Sequence, residues 1–436
     1  MQPIAQLSAD QAQSRLNTLL AVGQPEITVA DNHLLLANQK VDEIVAKFGS
    51  PLYVYSERVL RTRCKELRNF LQYEPFTPSY SCKANTNVTI LKIIREEGFR
   101  ADAMSPGEIL LLRTAGFQPE EILYVGNNVS EAEMLYAIKA GVTVSIDSLA
   151  QLEQYGQLNP GGKVAIRINP GMGDGHHKKT ITGGADSKFG VYYTDVNQIK
   201  AIIRRYNLKI TGLNQHIGSN YLTGKVYLAS VERLLSIAGQ FDDLDFIDFG
   251  GGMGIPYCNE TPRLDIAQLG AQVSAILKPW VQHYGKQITA SIEPGRYLVA
   301  ESGILFITVH STKQNPGVAF VGTDGGFNVL ARPMMYGSYH EILHTSHVHA
   351  NDTMEVTVCG NICESGDLLG EERLLPKVTA KGDILAVLDA GAYGFSMSSN
   401  YNSRLRPAEV LLTQDGDLRL IRERDTLEGL LRQQIY

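Results

Sequence analysis

LDFIDFGGG, residues 244–252, is a short apolar run that stops at three glycines. The run reads as a strand, and the glycines as a turn where the backbone must come close to something. The same pattern recurs along the chain. SYSCKANTN (79–87), KITGLNQHIGSN (209–220) and ITASIEPGR (288–296) each pass from a strand-like run into polar or glycine-rich residues. PLYVYS, FRADAMS, EILYVG, VTVSIDS and KVAIRINP are further runs. Helical patterns such as RVLRTRCKELRNFL, SPGEILLLRTAG and VNQIKAIIRRYN separate most of them.

Eight or nine such units over residues 51–305 exceed the usual open doubly wound sheet and predict a (β/α)8 barrel, with PLYVYS (51–56) counted in it. No GxGxxG opens a helix near the beginning, which lowers the dinucleotide-fold reading. In a barrel, segments that follow strands collect around one mouth. Residues 306–436 show short alternations and few long helices, so a C-terminal β-rich domain, a barrel or sandwich, is expected. Residues 1–50 are expected to pack with it.

The chain has 436 residues, 44% of them apolar and 20% charged, and a formal charge of -6 without a basic stripe. That composition describes a globular protein and gives no reason to expect binding to nucleic acid or an acidic membrane. Its five cysteines lack zinc or redox spacing and read as free thiols in a reducing compartment. MQPIAQLSAD carries no basic-then-apolar leader, and no uncharged apolar run reaches about 18 residues, so a cytoplasmic location is expected.

Lys83 by itself reads as a solvated charge. Desolvated at a barrel mouth, its amine becomes able to form a Schiff base with an aldehyde. Gly250, Gly251 and Gly252 fit either a phosphate turn or a tight barrel turn. His216 is open to three readings: a core residue, a metal ligand, or a flat surface for a ring. With His176 and His177 it makes no standard zinc spacing, and no metal is expected. Glu293 serves as a salt-bridge partner, or holds a pyridine nitrogen protonated. Arg296 and Arg332 suit carboxylate recognition. CGNICESGD (359–367) groups Cys363 and Glu364 among small residues. Tyr393 lies in DAGAYGFSMSSNYNSR (389–404), a segment polar enough to line a site.

Taken in order and spacing, these motifs resemble the fold type III decarboxylases that use pyridoxal 5'-phosphate, a barrel of the alanine racemase type followed by a β-domain. The resemblance covers nearly the whole chain, from PLYVYS through INPGMGDGHHKKTITGGADSKFG, GLNQHIGSN, DFGGG, EPGRYLV, RPMMYGSYH and CGNICESGD to GAYGFSMSSNYNSR. It implies that Lys83 carries the cofactor, His216 stacks on its ring and Glu293 meets its pyridine nitrogen. Ser219, Gly250, Gly251, Gly252, Gly295, Arg296 and Tyr393 would surround the phosphate. Arg296, Arg332 and Tyr336 would receive the carboxylate on the non-reacting end of the substrate, Glu364 its ammonium, and Tyr393 would also contact it. Cys363 or Lys83 would deliver the proton. The implied reaction is decarboxylation of meso-2,6-diaminopimelate at its D centre to L-lysine and CO2, the last step of lysine biosynthesis, in a homodimer with shared sites. Decarboxylation of ornithine, lysine or arginine is the first rival. An alanine-racemase-like enzyme and a non-enzymatic cofactor carrier follow. Asn214, where the family commonly has histidine, is one departure; Ser81-Cys82 and Val129 are others. The segment 171–186 is expected to be a mobile loop over the site.

Overall fold

The computed structural model describes residues 27–258 and 261–436, so expectations for residues 1–26 lie outside it. Its described residues fall into two compact units. One holds residues 63–255 and 263–298; the other holds 27–62, 256–262 and 299–436.

The first unit is a (β/α)8 barrel. Its parallel strands are β1 (Ser79–Ser81), β2 (Arg100–Ala103), β3 (Ile122–Tyr124), β4 (Thr143–Ile146), β5 (Lys163–Asn169), β6 (Lys209–Asn214), β7 (Phe246–Asp248) and β8 (Thr289–Ser291), hydrogen-bonded in that order. Backbone bonds then close the ring: Thr77 N–H donates to Ala290 O at 3.0 Å, Ser79 to Ile292 at 2.8 Å and Ser81 to Pro294 at 3.1 Å. Closure removes the sheet's edges. The helices between strands start and stop where local chemistry says they should. Ser105 caps the helix Pro106–Thr114, Ser130 forms a capping box with Glu133 before Glu131–Ala140, and Ser148 caps Leu149–Leu158. Gly141 and Gly285 end their helices in left-handed conformation.

Barrel interiors are ordinarily filled by branched aliphatic side chains. Here Ser79, Ser81, Asp102, Ser145, Arg167, Asn214, Asp248 and Ser291 are all buried on the strands. A polar interior of this kind is tolerated only where its members satisfy one another. Ser81 Oγ donates to Asp102 at 3.0 Å and Ser145 Oγ to Asn214 at 2.6 Å; Arg167 lies 3.7 Å from Asp147.

The second unit is all β apart from short helices. Its axis is a 13-residue strand, Gly303–Asn315, which pairs with Leu52–Ser56, with Ile384–Val387 and, in its second half, with Val318–Thr323. From Val318–Thr323 the sheet continues through Thr353–Cys359 to Leu368–Pro376. From Leu52–Ser56 it continues through Ala408–Leu412 to Leu418–Arg422. Leu34, Leu36, Val41 and Ile44 pack on Leu52, Val54, Phe306 and Val410 in one core.

PLYVYS is therefore not a barrel strand. All five residues of Leu52–Ser56 are buried, so the run has no polar face to mark it, and its neighbours on both sides come from the β unit. A continuous apolar run satisfies a central strand of either sheet.

Candidate functional site

Lys83, His216, Gly250 and Glu293 follow the C-terminal ends of β1, β6, β7 and β8 respectively. The parallel barrel brings these four segments to one rim. Gly250 and Gly252 have φ of 76° and 103°, and Gly218 has 147°. Side chains there would also collide: a Cβ on Gly251 would overlap the Glu293 carbonyl, and one on Gly250 the Gln215 carbonyl. The glycines thus let the β7 turn lie directly against its neighbours from β6 and β8. Two of the three N–H groups are engaged internally. Gly250 donates to Asp248 Oδ1 at 2.8 Å and Gly251 to His216 Nδ1 at 3.2 Å.

Accepting at Nδ1 leaves His216 with its proton on Nε2, a neutral flat ring. Burial pushes its pKa well below the ordinary histidine value, and the positive charges of Lys83 and Arg167 push the same way. Glu293 is buried and its Oε1 has no hydrogen-bond partner among the described residues. Burial, then the neighbouring Asp248 and Asp102, holds its carboxyl well above the usual carboxylate range, against the pull of Arg167 and Lys83. Asp102 is pushed up to about 6 by burial and Asp248 to about 7. Arg296 is buried and donates from Nη2 to Ser219 Oγ at 2.9 Å. Gly295 lies close to Ser81 and Ala84, which flank the lysine turn: a Cβ there would stand 3.1 Å and 3.2 Å from theirs.

The segment 171–190 lies along HIGS. His176 Nδ1 is 3.1 Å from Ser219 O, and Thr182 Oγ1 donates to His216 O at 3.0 Å. Cys82 is buried, and burial raises its thiol pKa, which suits packing rather than reactivity.

Arg332, Tyr336, Cys363, Glu364 and Tyr393 belong to the β unit. Arg332 opens the helix Arg332–Tyr336, is buried, and donates to His340 Nε2 at 2.8 Å and Ser338 Oγ at 3.3 Å, with its guanidinium 4.5 Å over the Tyr257 ring. The CES turn is built around Asp367. Its carboxylate accepts from Phe327 N at 2.6 Å and Ile362 N at 2.8 Å. Cys363 is exposed, with its N–H donating to Asn402 Oδ1 at 2.7 Å, and Glu364 accepts from Tyr401 Oη at 2.7 Å. Tyr393 has φ 56°, a left-handed conformation uncommon for a bulky residue and a mark of functional segments.

Asp102, Arg167 and Asp248 were not singled out from sequence. Each is a charge set between two apolar neighbours in a strand run, in FRADAMS, KVAIRINP and LDFIDF, and that pattern is the signal that identifies them.

The rim suits a pyridoxal group on three counts: an amine at Lys83, a neutral ring at His216, and a buried carboxyl oxygen at Glu293 that none of the described residues satisfies. A buried polar atom of that kind calls for a partner.

The family described as pyridoxal-dependent decarboxylase, pyridoxal binding domain, matches residues 57–300. Over 420 residues the chain is 42% identical to the diaminopimelate decarboxylase of Methanothermobacter thermautotrophicus, covering 94% of this chain and 97% of that one. It is 38% identical over 414 residues to the diaminopimelate decarboxylase of Escherichia coli K12, covering 91% and 96%. The crystal structure of diaminopimelate decarboxylase from M. jannaschii in complex with L-lysine superposes with a TM-score of 0.85 at 30% identity, covering 95% and 98%.

Proposed function

From the premise that this chain belongs to the pyridoxal-dependent decarboxylases, and within them to the diaminopimelate decarboxylases, we propose how its residues divide the work. The reaction is decarboxylation of diaminopimelate to lysine. Bound pyridoxal 5'-phosphate supplies an aldehyde for covalent attachment and a protonatable ring that disperses the electron pair left when CO2 departs.

Lys83 would be the attachment point, and its amine would be one candidate to return a proton to the substrate carbon that CO2 has left. His216 offers its neutral face to the ring and cannot compete for the ring's positive charge. Glu293 faces the pyridine nitrogen. Its unsatisfied buried Oε1 is the observation that carries this reading. A carboxyl held well above its usual range by burial is returned toward ionisation by a cationic partner, so the Glu293 carboxylate and a protonated ring nitrogen would stabilise each other. Ser219, Gly250, Gly251, Gly252, Gly295, Arg296 and Tyr393 hold the phosphate. The Ser219–Arg296 hydrogen bond supports that grouping.

For the substrate, Arg296, Arg332 and Tyr336 take the carboxylate that does not react, Glu364 takes the ammonium beside it, and Tyr393 also contacts it. This selects the meso isomer, cleaved at its D centre to L-lysine. Cys363 is the alternative proton donor. Its exposure in the β unit supports presentation to a second copy of the chain, hence a homodimer with shared sites. Among the described residues no helix is long and apolar enough to cross a membrane, which agrees with work in the cytoplasm.

Release of CO2 from meso-, LL- and DD-diaminopimelate, both lysines, ornithine and arginine, with product chirality recorded, tests the reading. Preference for ornithine or lysine sinks the substrate assignment. Full turnover by Lys83→Ala, or retention of its visible cofactor band after borohydride, sinks the role of Lys83. Recovery of activity on mixing Lys83→Ala with Cys363→Ala subunits is the expected sign of shared sites; verified exchange without recovery overturns them.

A further inference from the structure

We propose that a cavity at the N-terminal end of the barrel strands is a water-filled proton inlet, and that Asp248 passes protons between it and Glu293 from the end of the barrel opposite Lys83. The functional consequence rests on the assignment of Glu293 above; the route itself does not.

The cavity has a volume of about 480 Å³ including its open mouth. Exposed Arg100 and Glu120 line it, and so do buried Ser79, Asp248 and Ser291, so it runs from the surface into the barrel interior. Arg100 and Thr289, also in its wall, are the first residues of β2 and β8, whereas Lys83 and Glu293 follow strand ends. The two openings are therefore at opposite ends.

Aliphatic residues usually plug a barrel at this level. This one presents hydroxyls and a carboxyl. Ser79 Oγ is buried and has no hydrogen-bond partner among the described residues. Its wall is mixed, with Ile122, Leu123 and Phe246 beside Ser79, Thr143, Asp248, Thr289 and Ser291, and it is at these polar groups, the unsatisfied Ser79 Oγ among them, that a water finds partners.

At its inner end stands Asp248. It lies opposite Ser291 on the neighbouring strand, two residues before Glu293, and its Oδ1 accepts from Gly250, whose carbonyl accepts from Glu293 N at 3.0 Å. Burial raises both carboxyls and Asp102 raises both further; the charge of Asp248 also raises Glu293, where Arg167 and Lys83 oppose it. Neighbouring buried carboxyls do not ionise together, so the pair keeps a proton near neutrality. That proton must equilibrate with solvent. At the strand-end rim Lys83 and His216 are half-buried and the segment 171–190 bonds to the HIGS backbone, so the inlet is a second route, from the other end of the barrel. Through the inlet, a cavity water protonates the Asp248 carboxylate, the acid protonates Glu293, and reversal returns the proton to water. Nothing is oxidised or consumed. The charge of Glu293 can thus adjust while the substrate side is occupied.

The test is infrared spectroscopy of the full-length protein near neutral pH, following H/D exchange of protonated-carboxyl bands. Ser79→Leu and Thr289→Leu each fill the inlet from a different wall. In either variant, exchange is expected to slow by roughly tenfold or more, the factor that about 1.4 kcal/mol of added barrier gives. Asp248→Asn should remove or shift a protonated-carboxyl band or slow its exchange, and Glu293→Gln shows which of the two carboxyls carries the proton. Wild-type exchange rates in a sealed variant with a normal unfolding midpoint overturn the inlet, and so do bands that neither Asp248→Asn nor Glu293→Gln alters. Two filling variants are used so that a folding defect in one does not decide the matter. Failure of the Glu293 assignment reads out separately, as full turnover in Glu293→Gln with exchange still dependent on the inlet.

Discussion

Arg167 is the cation that makes the acidic barrel interior tolerable, and Arg167→Met tests this. The guanidinium is buried, 3.7 Å from Asp147, and lies 4.7 Å over the Phe189 ring; the charges of Glu293 and Asp102 act on it as well. Removing one partner of a buried ion pair costs about 3–5 kcal/mol, because the other charge is left uncompensated. Loss of the cation over Phe189 adds roughly 0.5–2 kcal/mol, which the packing of methionine partly offsets. The expected loss at pH 8 is about 3–5 kcal/mol. With a urea slope of about 3 kcal/mol/M, the midpoint falls by roughly 1–1.7 M. Trp280, the chain's one tryptophan, lies in the barrel unit and is stacked on Tyr284, so its fluorescence reports this unit. The loss must also depend on pH. Burial already raises the pKa of Asp147, and Arg167 is the largest influence lowering it. Without the arginine it rises further, and a raised carboxyl binds its proton in the folded state at a pH where the unfolded state has lost it. Stability of the variant relative to wild type therefore falls as pH rises through that window, by about 1.4 kcal/mol for each unit of added shift. The deficit should be smaller at pH 5 than at pH 8. An unchanged midpoint, or an equal deficit at both pH values, would refute the reasoning.

His216 should make the barrel unit sensitive to acid. Its folded pKa is depressed, so the unfolded state binds more protons as pH falls through about 6.5, and between pH 6.5 and 5.5 the unit loses up to about 1 kcal/mol. His216→Phe keeps a flat ring and should abolish that part of the slope in Trp280 unfolding; an unaltered slope would mean the ring is not held neutral. In the β unit, Asp367→Asn retains one good acceptor for two buried N–H groups, at a cost of roughly 1–3 kcal/mol. Mass-spectrometric thiol labelling should then find a changed rate at Cys363, while Cys64 and Cys82, both buried, label as in wild type. An unchanged rate at Cys363 would show that Asp367 does not hold its turn.

The barrel was legible because its strand ends carry their own chemistry: glycine where neighbouring backbones touch, and proline, histidine or lysine where a strand hands over to a turn. PLYVYS was misread because burial on both faces erases the alternation that distinguishes sheets, and its partners, Gly303–Phe306 and Ala408–Leu412, are remote in sequence. The GGG turn shows a subtler limit. Unobstructed N–H groups were legible, but what they donate to was not, because the acceptors at His216 and Asp248 approach only once β6 and β7 are paired. Asp102, Arg167 and Asp248 show the same limit in charge. In FRADAMS, KVAIRINP and LDFIDF each is one of two charges, at a strand position that could face either way. Only closure of the ring, with Ser79 donating to Ile292 and Ser81 to Pro294, gathers these strand charges into one buried set, in which burial and neighbouring charges shift their ionisation. The positions of the chemical groups are local properties of the chain, whereas their ionisation is a property of the closed barrel. That is why Lys83 and Glu293 can be found by reading strand ends, while the groups that set the charge of Glu293 cannot.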